Sequence, residues 1–218
     1  MSAFSRLGLG AVLLAALAAP ASAQVTVGLK AGLNVSNFVG DDANNSEARL
    51  GFAGGLTTRY AISPSASFQL EALYSQKGDT FDAVVLEGAR DYQIDTRIGY
   101  LEVPASIRLG VPLSQFLDAG VSLGGYVGIP VSSSIEVDGD VPRDVLDDVA
   151  EFDLDPATDY GALIGVDVGS GPFYVDARYT LGLADVTDDD PVFGENLDRK
   201  NSVVSLTFGY RFGGGRRF

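Results

Sequence analysis

Between Asp159 and Val186 the chain alternates with a period of two on both sides of a tight turn at Ser170-Gly171-Pro172. Before the turn, Tyr160, Ala162, Ile164, Val166 and Val168 alternate with Asp159, Gly161, Leu163, Gly165, Asp167 and Gly169. After it, Phe173, Val175, Ala177, Tyr179, Leu181 and Leu183 alternate with Tyr174, Asp176, Arg178, Thr180 and Gly182. Successive strand side chains point to opposite faces, so strict alternation means a strand with a different medium on each side. The short connection makes the pair an antiparallel hairpin. One face of the hairpin is apolar throughout; the other carries glycine, hydroxyls and both signs of charge.

The same pattern recurs along the chain. Met1–Ala23 reads as a secretory signal peptide: Arg6 supplies the positive start, Leu7 to Ala19 the apolar run, and Ala21-Ser22-Ala23 the small-residue cleavage site. Cleavage after Ala23 would leave residues 24–218 as one barrel domain. The run is shorter than the ~20 apolar residues of a spanning helix. Strand one is expected from Val25 to Val39, strand two from Ala48 to Ile62 and strand three from Ser65 to Lys77. An acidic loop from Gly78 to about Asp95 follows. Strand four runs to Val111 and strand five from Phe116 to Val131. A long loop, Ser132 to Thr158, leads to the hairpin. A further loop, Ala184 to Lys200, precedes strand eight, Asn201 to Phe212.

Eight strands with alternately short and long connections predict an all-β fold, an eight-stranded antiparallel up-and-down transmembrane β-barrel. An even strand number puts both ends of the barrel on the short-turn side, the periplasmic side of such barrels. A soluble lipocalin-like ligand carrier in the periplasm would also alternate, with the faces reversed. Three features favour the membrane. Glycine crowds the polar face at Gly28, Gly32, Gly51, Gly55, Gly120, Gly124 and Gly128, as the concave inside of a narrow barrel requires. Aromatics expected on the uncharged face near strand ends, Tyr60, Tyr100, Phe173, Phe208, Tyr210 and Phe212, suit interfacial girdles. No strand carries a charge on that face, where lipid would penalise one by about 2–4 kcal/mol at the midplane.

Composition removes several chemistries. The chain has no cysteine, so no disulfide or thiolate site, and no histidine, the usual general base and metal ligand. Its net charge of −14 leaves no basic surface for nucleic acid. No cofactor is expected and no catalytic residue is assigned; a carboxylate-only mechanism would fall to Glu71 with Glu102. Lys30, Glu71, Glu102 and Arg178 are expected near mid-height of the lumen, and Arg59, Arg108, Asp118, Asp167, Asp176 and Arg211 lower. Lys30, Glu71, Glu102, Arg178, Arg108 and Asp118 form the predicted lumen ion network. In an eight-stranded barrel side chains fill the interior, and buried charges must satisfy one another. The acid clusters in the long connections. Asp138, Asp140, Asp188, Asp189 and Asp190 are candidate oxygen contacts for a divalent cation, Ca²⁺ or Mg²⁺, against a plainly solvated acidic surface. Val145, Leu146, Val149 and Phe152 recur at the spacing of a short amphipathic helix.

Gly28-x-Lys30-x-Gly32-x-Asn34-x-Ser36, Tyr100-Leu101-Glu102-Val103-Pro104 and Arg178-Tyr179-x-x-Gly182-Leu183, in this order, resemble the PorT-like outer-membrane β-barrel family common in Bacteroidetes-type bacteria. The architecture also resembles the small OmpX and OmpA barrels. The resemblance implies an outer-membrane barrel without implying one activity, since PorT itself is tied to protein secretion. Phe208-x-Tyr210-x-Phe212 looks like the aromatic assembly signal of outer-membrane proteins, although Gly213 to Phe218 follows it. The partners implied are outer-membrane lipid, the barrel-assembly machinery through the last strand, and an extracellular or secretion-system protein. The function expected is a structural or binding outer-membrane protein with acidic outer loops. The alternative is a narrow pore or a component of a transport or secretion apparatus.

Overall fold

The computed structural model describes residues 24–40, 46–85, 90–138, 156–186 and 199–212. Eight long strands account for most of them: β1 (Val25–Val39), β2 (Arg49–Ala61), β3 (Ala66–Val85), β4 (Arg90–Pro112), β5 (Leu117–Asp138), β6 (Asp159–Ser170), β7 (Phe173–Asp185) and β8 (Lys200–Phe212). A two-residue segment, Ser46–Glu47, pairs with Phe81 and Thr80 of β3. Every long strand pairs antiparallel with its sequence neighbours, and β1 pairs with β8 from Val27↔Phe212 to Val39↔Lys200. The sheet therefore closes on itself as an eight-stranded barrel, with both flanks of every strand engaged over the shared height. Closure removes sheet edges, which is the condition for a sheet to stand in lipid.

Three tight turns close one end. Ile62 to Ser65 is held by Ile62 N–H donating to the Ala66 carbonyl at 2.9 Å, and Leu113 to Phe116 by Leu113 N–H donating to the Leu117 carbonyl at 2.9 Å. The third turn is the dipeptide Gly171-Pro172, where Gly171 takes φ 59°, a left-handed conformation that glycine adopts without steric cost.

The faces are inverted relative to a water-soluble protein. Leu33, Leu50, Leu123, Ile129, Ile164, Val166, Leu206 and Phe208 are exposed outside, Leu123 with 66% of its surface. Lys30, Glu71, Lys77, Glu102, Arg108, Asp167, Asp176 and Arg178 are buried inside. Period-two alternation produces this directly, since one register sets every odd or every even side chain outward. Aromatic rings gather on the outside near the short turns: Phe173 lies 5.8 Å from Phe208 and 5.3 Å from Tyr210, which lies 5.2 Å from Phe212.

The structure corrects the expected outline in three places. The acidic stretch read as a loop from Gly78 is largely strand: β3 continues to Val85 and β4 begins at Arg90. β5 continues past Val131 to Asp138. These three adjacent strands, of 20–23 residues, are longer than the others, of 12–15 residues, by five to eleven residues, roughly 15–35 Å along the strand. Polar residues at solvated strand ends break the apolar alternation that marks a membrane strand, so the sequence pattern ends before the strands do. Tyr100, expected in the outer girdle, points inward and has no exposed surface. Its number has the parity of Glu102 and Arg108, and the β4–β5 irregularity at Gly99/Tyr100 pairs it with Pro130.

The outward face yields a prediction. Leu206→Arg, placing a cation in the lipid-facing band, is expected to cost about 2–4 kcal/mol. Thr207→Ser, on the lumen side of the same strand, should cost far less. Urea unfolding in liposomes measures both; equal effects would contradict the assignment of faces.

Candidate functional site

Charged side chains concentrate in the lumen, where register stacks them in three tiers; Arg49, Asp95, Arg97 and Glu136 form a further cluster toward the long-strand end. Nearest the short turns, Arg108 binds two carboxylates. Its Nε and Nη2 donate to Asp167 at 2.6 and 2.8 Å, and Nη2 also donates to Asp118 at 2.8 Å. Arg211 lies beside the same two carboxylates at 3.6–3.8 Å, with its guanidinium 4.5 Å from the centre of the Tyr174 ring. Arg59 shares this level and donates through Nε and Nη2 to the Gln69 amide oxygen at 3.1 and 2.8 Å.

Backbone economy makes room for these groups. Gly120 and Gly209 face the lumen where a β-carbon would strike the Arg108 guanidinium and the Tyr174 ring. Glycine there is a condition of the arginine and tyrosine lying across the barrel.

The middle tier joins β1, β3 and β7. Arg178 makes a two-point pair with Glu71, Nη1 to Oε2 at 3.0 Å and Nη2 to Oε1 at 2.8 Å. Lys30 Nζ reaches Glu71 at 2.7 Å and Asp176 at 3.3 Å. Such forked, charge-assisted contacts are the strong class of hydrogen bond. Gln69 Nε2 donates to Glu71 while its amide oxygen accepts from Arg59, so one side chain links the lower and middle tiers. Asp176, expected lower in the lumen, belongs to this middle tier. It sits opposite Thr207, which in turn pairs with Gly32.

The upper tier centres on Lys77, whose side chain is 1% exposed. Its ammonium lies 2.5 Å from Glu102 and 2.8 Å from Asp159, and 4.2 Å from the centre of the Tyr126 ring. Asp159 Oδ2 accepts from Lys77, from the Tyr126 hydroxyl at 3.1 Å and from Asn201 Nδ2 at 3.0 Å. Beside it Phe38, Ile98, Tyr100 and Val186 form a buried apolar cluster, the Tyr100 ring 5.3 Å from the Lys77 ammonium. Val186 is held there by backbone bonds, its N–H donating to the Arg199 carbonyl and its carbonyl accepting from Ala157 N–H.

Of the predicted network, Lys30, Glu71 and Arg178 therefore meet in the middle tier and Arg108 meets Asp118 in the lower one. Glu102 instead pairs with Lys77. Glu71 and Glu102, weighed as a carboxylate pair, are each engaged by different cations. Lys77 and Asp159 were not singled out from the sequence. Both stand where strand text gives way to loop text, yet Lys77 has the parity of Glu71, and Asp159 that of Asp167. The side chain of Asp138, the residues Asp140, Asp188, Asp189 and Asp190, and the helical spacing at Val145 to Phe152 lie outside the described side chains.

The tiers pack closely. The void left between the middle and upper tiers, lined by Lys30, Lys77, Glu102, Tyr126, Asp176 and Arg178 among others, is about 20 Å³, room for about one water.

A closed barrel, apolar outside and ion-paired inside, is the architecture of a small outer-membrane protein. The family model described as "Outer membrane protein beta-barrel domain" matches residues 9–212. The chain belongs to this outer-membrane β-barrel family. Among solved structures it is similar to Ail, the attachment invasion locus protein of Yersinia pestis, in complex with the heparin analogue sucrose octasulfate. That match has 16% identity over 87% of this chain and 99% of the other, with a TM-score of 0.44. OprG from Pseudomonas aeruginosa gives 13% identity over 88% and 97%, TM-score 0.44, and Neisserial surface protein A gives 14% over 85% and 97%, TM-score 0.39. No curated protein matches the sequence.

Lys77 gives the sharpest test of the lumen. Lys77→Met strands two buried carboxylates without their cation, and removal of one partner from a buried pair costs about 3–5 kcal/mol. The triple variant Lys77→Met/Glu102→Gln/Asp159→Asn should regain most of that loss, because uncharged partners no longer need the ammonium. Urea midpoints of the barrel in micelles decide it; an unrecovered triple variant would show that Lys77 acts through packing alone.

Proposed function

We propose that this protein is a sealed outer-membrane anchor whose work is done by its extracellular side, not by passage through the barrel. The observation that carries the reading is the filled lumen. Three tiers of ion pairs leave about 20 Å³ between the middle and upper ones, with a buried apolar cluster of Phe38, Ile98, Tyr100 and Val186 beside the upper tier. An ion crossing it would have to part carboxylates from cations in a low-dielectric interior, where each separated charge costs several kcal/mol. The surface on offer is at the other end, where β3, β4 and β5 outreach the remaining strands and the acidic connections begin. An acidic display of this kind suits a structural or binding role toward an extracellular partner. No catalytic role is proposed, since the carboxylates weighed for one are engaged by lysine and arginine.

In planar bilayers the purified barrel is expected to give no discrete current steps. Regular single-protein steps would replace the anchor reading with that of a narrow pore. Export is proposed to follow the signal peptide at Met1–Ala23, so that sequencing the mature N-terminus should begin at Gln24. A mature chain that retains Met1 would refute the cleavage site.

A further inference from the structure

The three tiers share cations and carboxylates unevenly. The middle tier balances: Lys30 and Arg178 face Glu71 and Asp176. The upper tier has one carboxylate in excess, Lys77 facing Glu102 and Asp159, and neutral donors attend to it. Asp159 takes hydrogen bonds from the Tyr126 hydroxyl and the Asn201 amide in addition to Lys77. The lower tier has the opposite excess, with Arg59, Arg108 and Arg211 facing only Asp118 and Asp167. Here the neutral groups in attendance are the Gln69 amide oxygen, which accepts twice from Arg59, and the Tyr174 ring beside Arg211.

Arg108 takes both Asp167 oxygens and Oδ2 of Asp118, leaving only Asp118 Oδ1 of the two aspartates. Arg211 stands 3.6 and 3.8 Å from them, too far for a hydrogen bond, and its buried Nη2 makes none. Arg59 forms no close ion pair among the described residues and is drawn electrostatically to Asp167, which Arg108 already holds. Two of its five N–H donors share the single Gln69 amide oxygen. Two guanidinium groups with donors to spare thus stand at the periplasmic mouth, on strands that flank β1 on either side. Between them β1 presents Gly28, opposite Arg211 in register, and Thr26, opposite Arg59. A β-carbon at Gly28 would come 3.0 Å from the Thr57 hydroxyl and 2.6 Å from the Tyr210 carbonyl, so glycine here makes room for the Thr57 side chain.

We propose that Arg59 and Arg211 form a phosphate-oxyanion site at the periplasmic mouth of the barrel, with Thr26 as a neighbouring hydroxyl donor. The guanidinium fork matches an oxyanion better than a spherical halide. One bound anion would neutralise the lower tier's excess and accept the donors that the two aspartates do not. The phosphate could be free in the periplasm or carried by a lipid headgroup at the rim, beside the aromatic girdle of Tyr60, Tyr210 and Phe212. Both sources offer the same chemistry.

The test uses the full mature protein refolded in dodecyl maltoside, which contains no phosphate. Inorganic phosphate is titrated against chloride at matched ionic strength, and the thermal midpoint is followed. A saturable upward shift with phosphate and not with chloride is expected. Arg59→Gln and Arg211→Gln should each lose about tenfold or more in apparent affinity, the worth of one charge-assisted hydrogen bond. Arg59→Lys, which keeps the charge and loses the fork, should fall between, and heat-modifiable gel migration confirms that each variant is folded. Native mass spectrometry of protein extracted from membranes containing phosphatidylglycerol forms the second arm. A lipid retained by the wild type and lost in both glutamine variants, without a phosphate shift, assigns the same site to a headgroup. A wild-type barrel with neither a phosphate-specific shift nor a retained lipid overturns the proposal without reference to any variant.

Discussion

A lysine or glutamate inside this barrel has no bulk water to turn to, and that constraint governs the rest of the structure. Lipid outside requires every backbone donor and acceptor to be met within the sheet, which forces closure. Closure at eight strands gives a lumen too narrow for a water column and wide enough for side chains. Polar side chains must then fill it, since the apolar ones are committed to lipid, and buried charges are tolerable only in pairs. The Arg178–Glu71 fork, the Lys30 contacts and the Lys77 cluster follow from the geometry of the wall as much as from any need for stability.

The wall and its filling are specified together. Long side chains that cross the lumen need opposite positions with no side chain at all. Gly120 accommodates Arg108 and Gly209 accommodates the Tyr174 ring, so glycine and bulk alternate around the inner circumference. A substitution at either glycine therefore acts on the ion pairs without touching a charge. Gln69 has the complementary role. Its amide gives one tier a donor and another an acceptor, coupling Arg59 to Glu71 across two levels.

Period-two alternation made the barrel and its faces legible in the sequence, because only one register hides Lys30, Glu71 and Arg178 together. What it could not show was height. Register along the barrel is set by pairing between strands, so Asp176 was read too low and Glu102 was grouped with Glu71 when its partner is Lys77. Strand ends were equally hidden. Once β3, β4 and β5 leave the lipid, nothing compels alternation, and polar strand text reads as loop. Tyr100 shows a subtler failure: its aromatic character suggested the girdle, while its parity with Glu102 already placed it inside.

Sealing the lumen has a consequence for where function can reside. A barrel whose interior is satisfied by its own charges offers little to a solute within, and its free chemistry is displaced to the two ends. In the Lys77 tier that chemistry is anionic, one ammonium facing the two carboxylates of Glu102 and Asp159. Near the short turns it is cationic, with Arg59, Arg108 and Arg211 facing Asp118 and Asp167. From the short-turn tier to the Lys77 tier the balance of charge thus passes from cationic to anionic, which no single pair reveals.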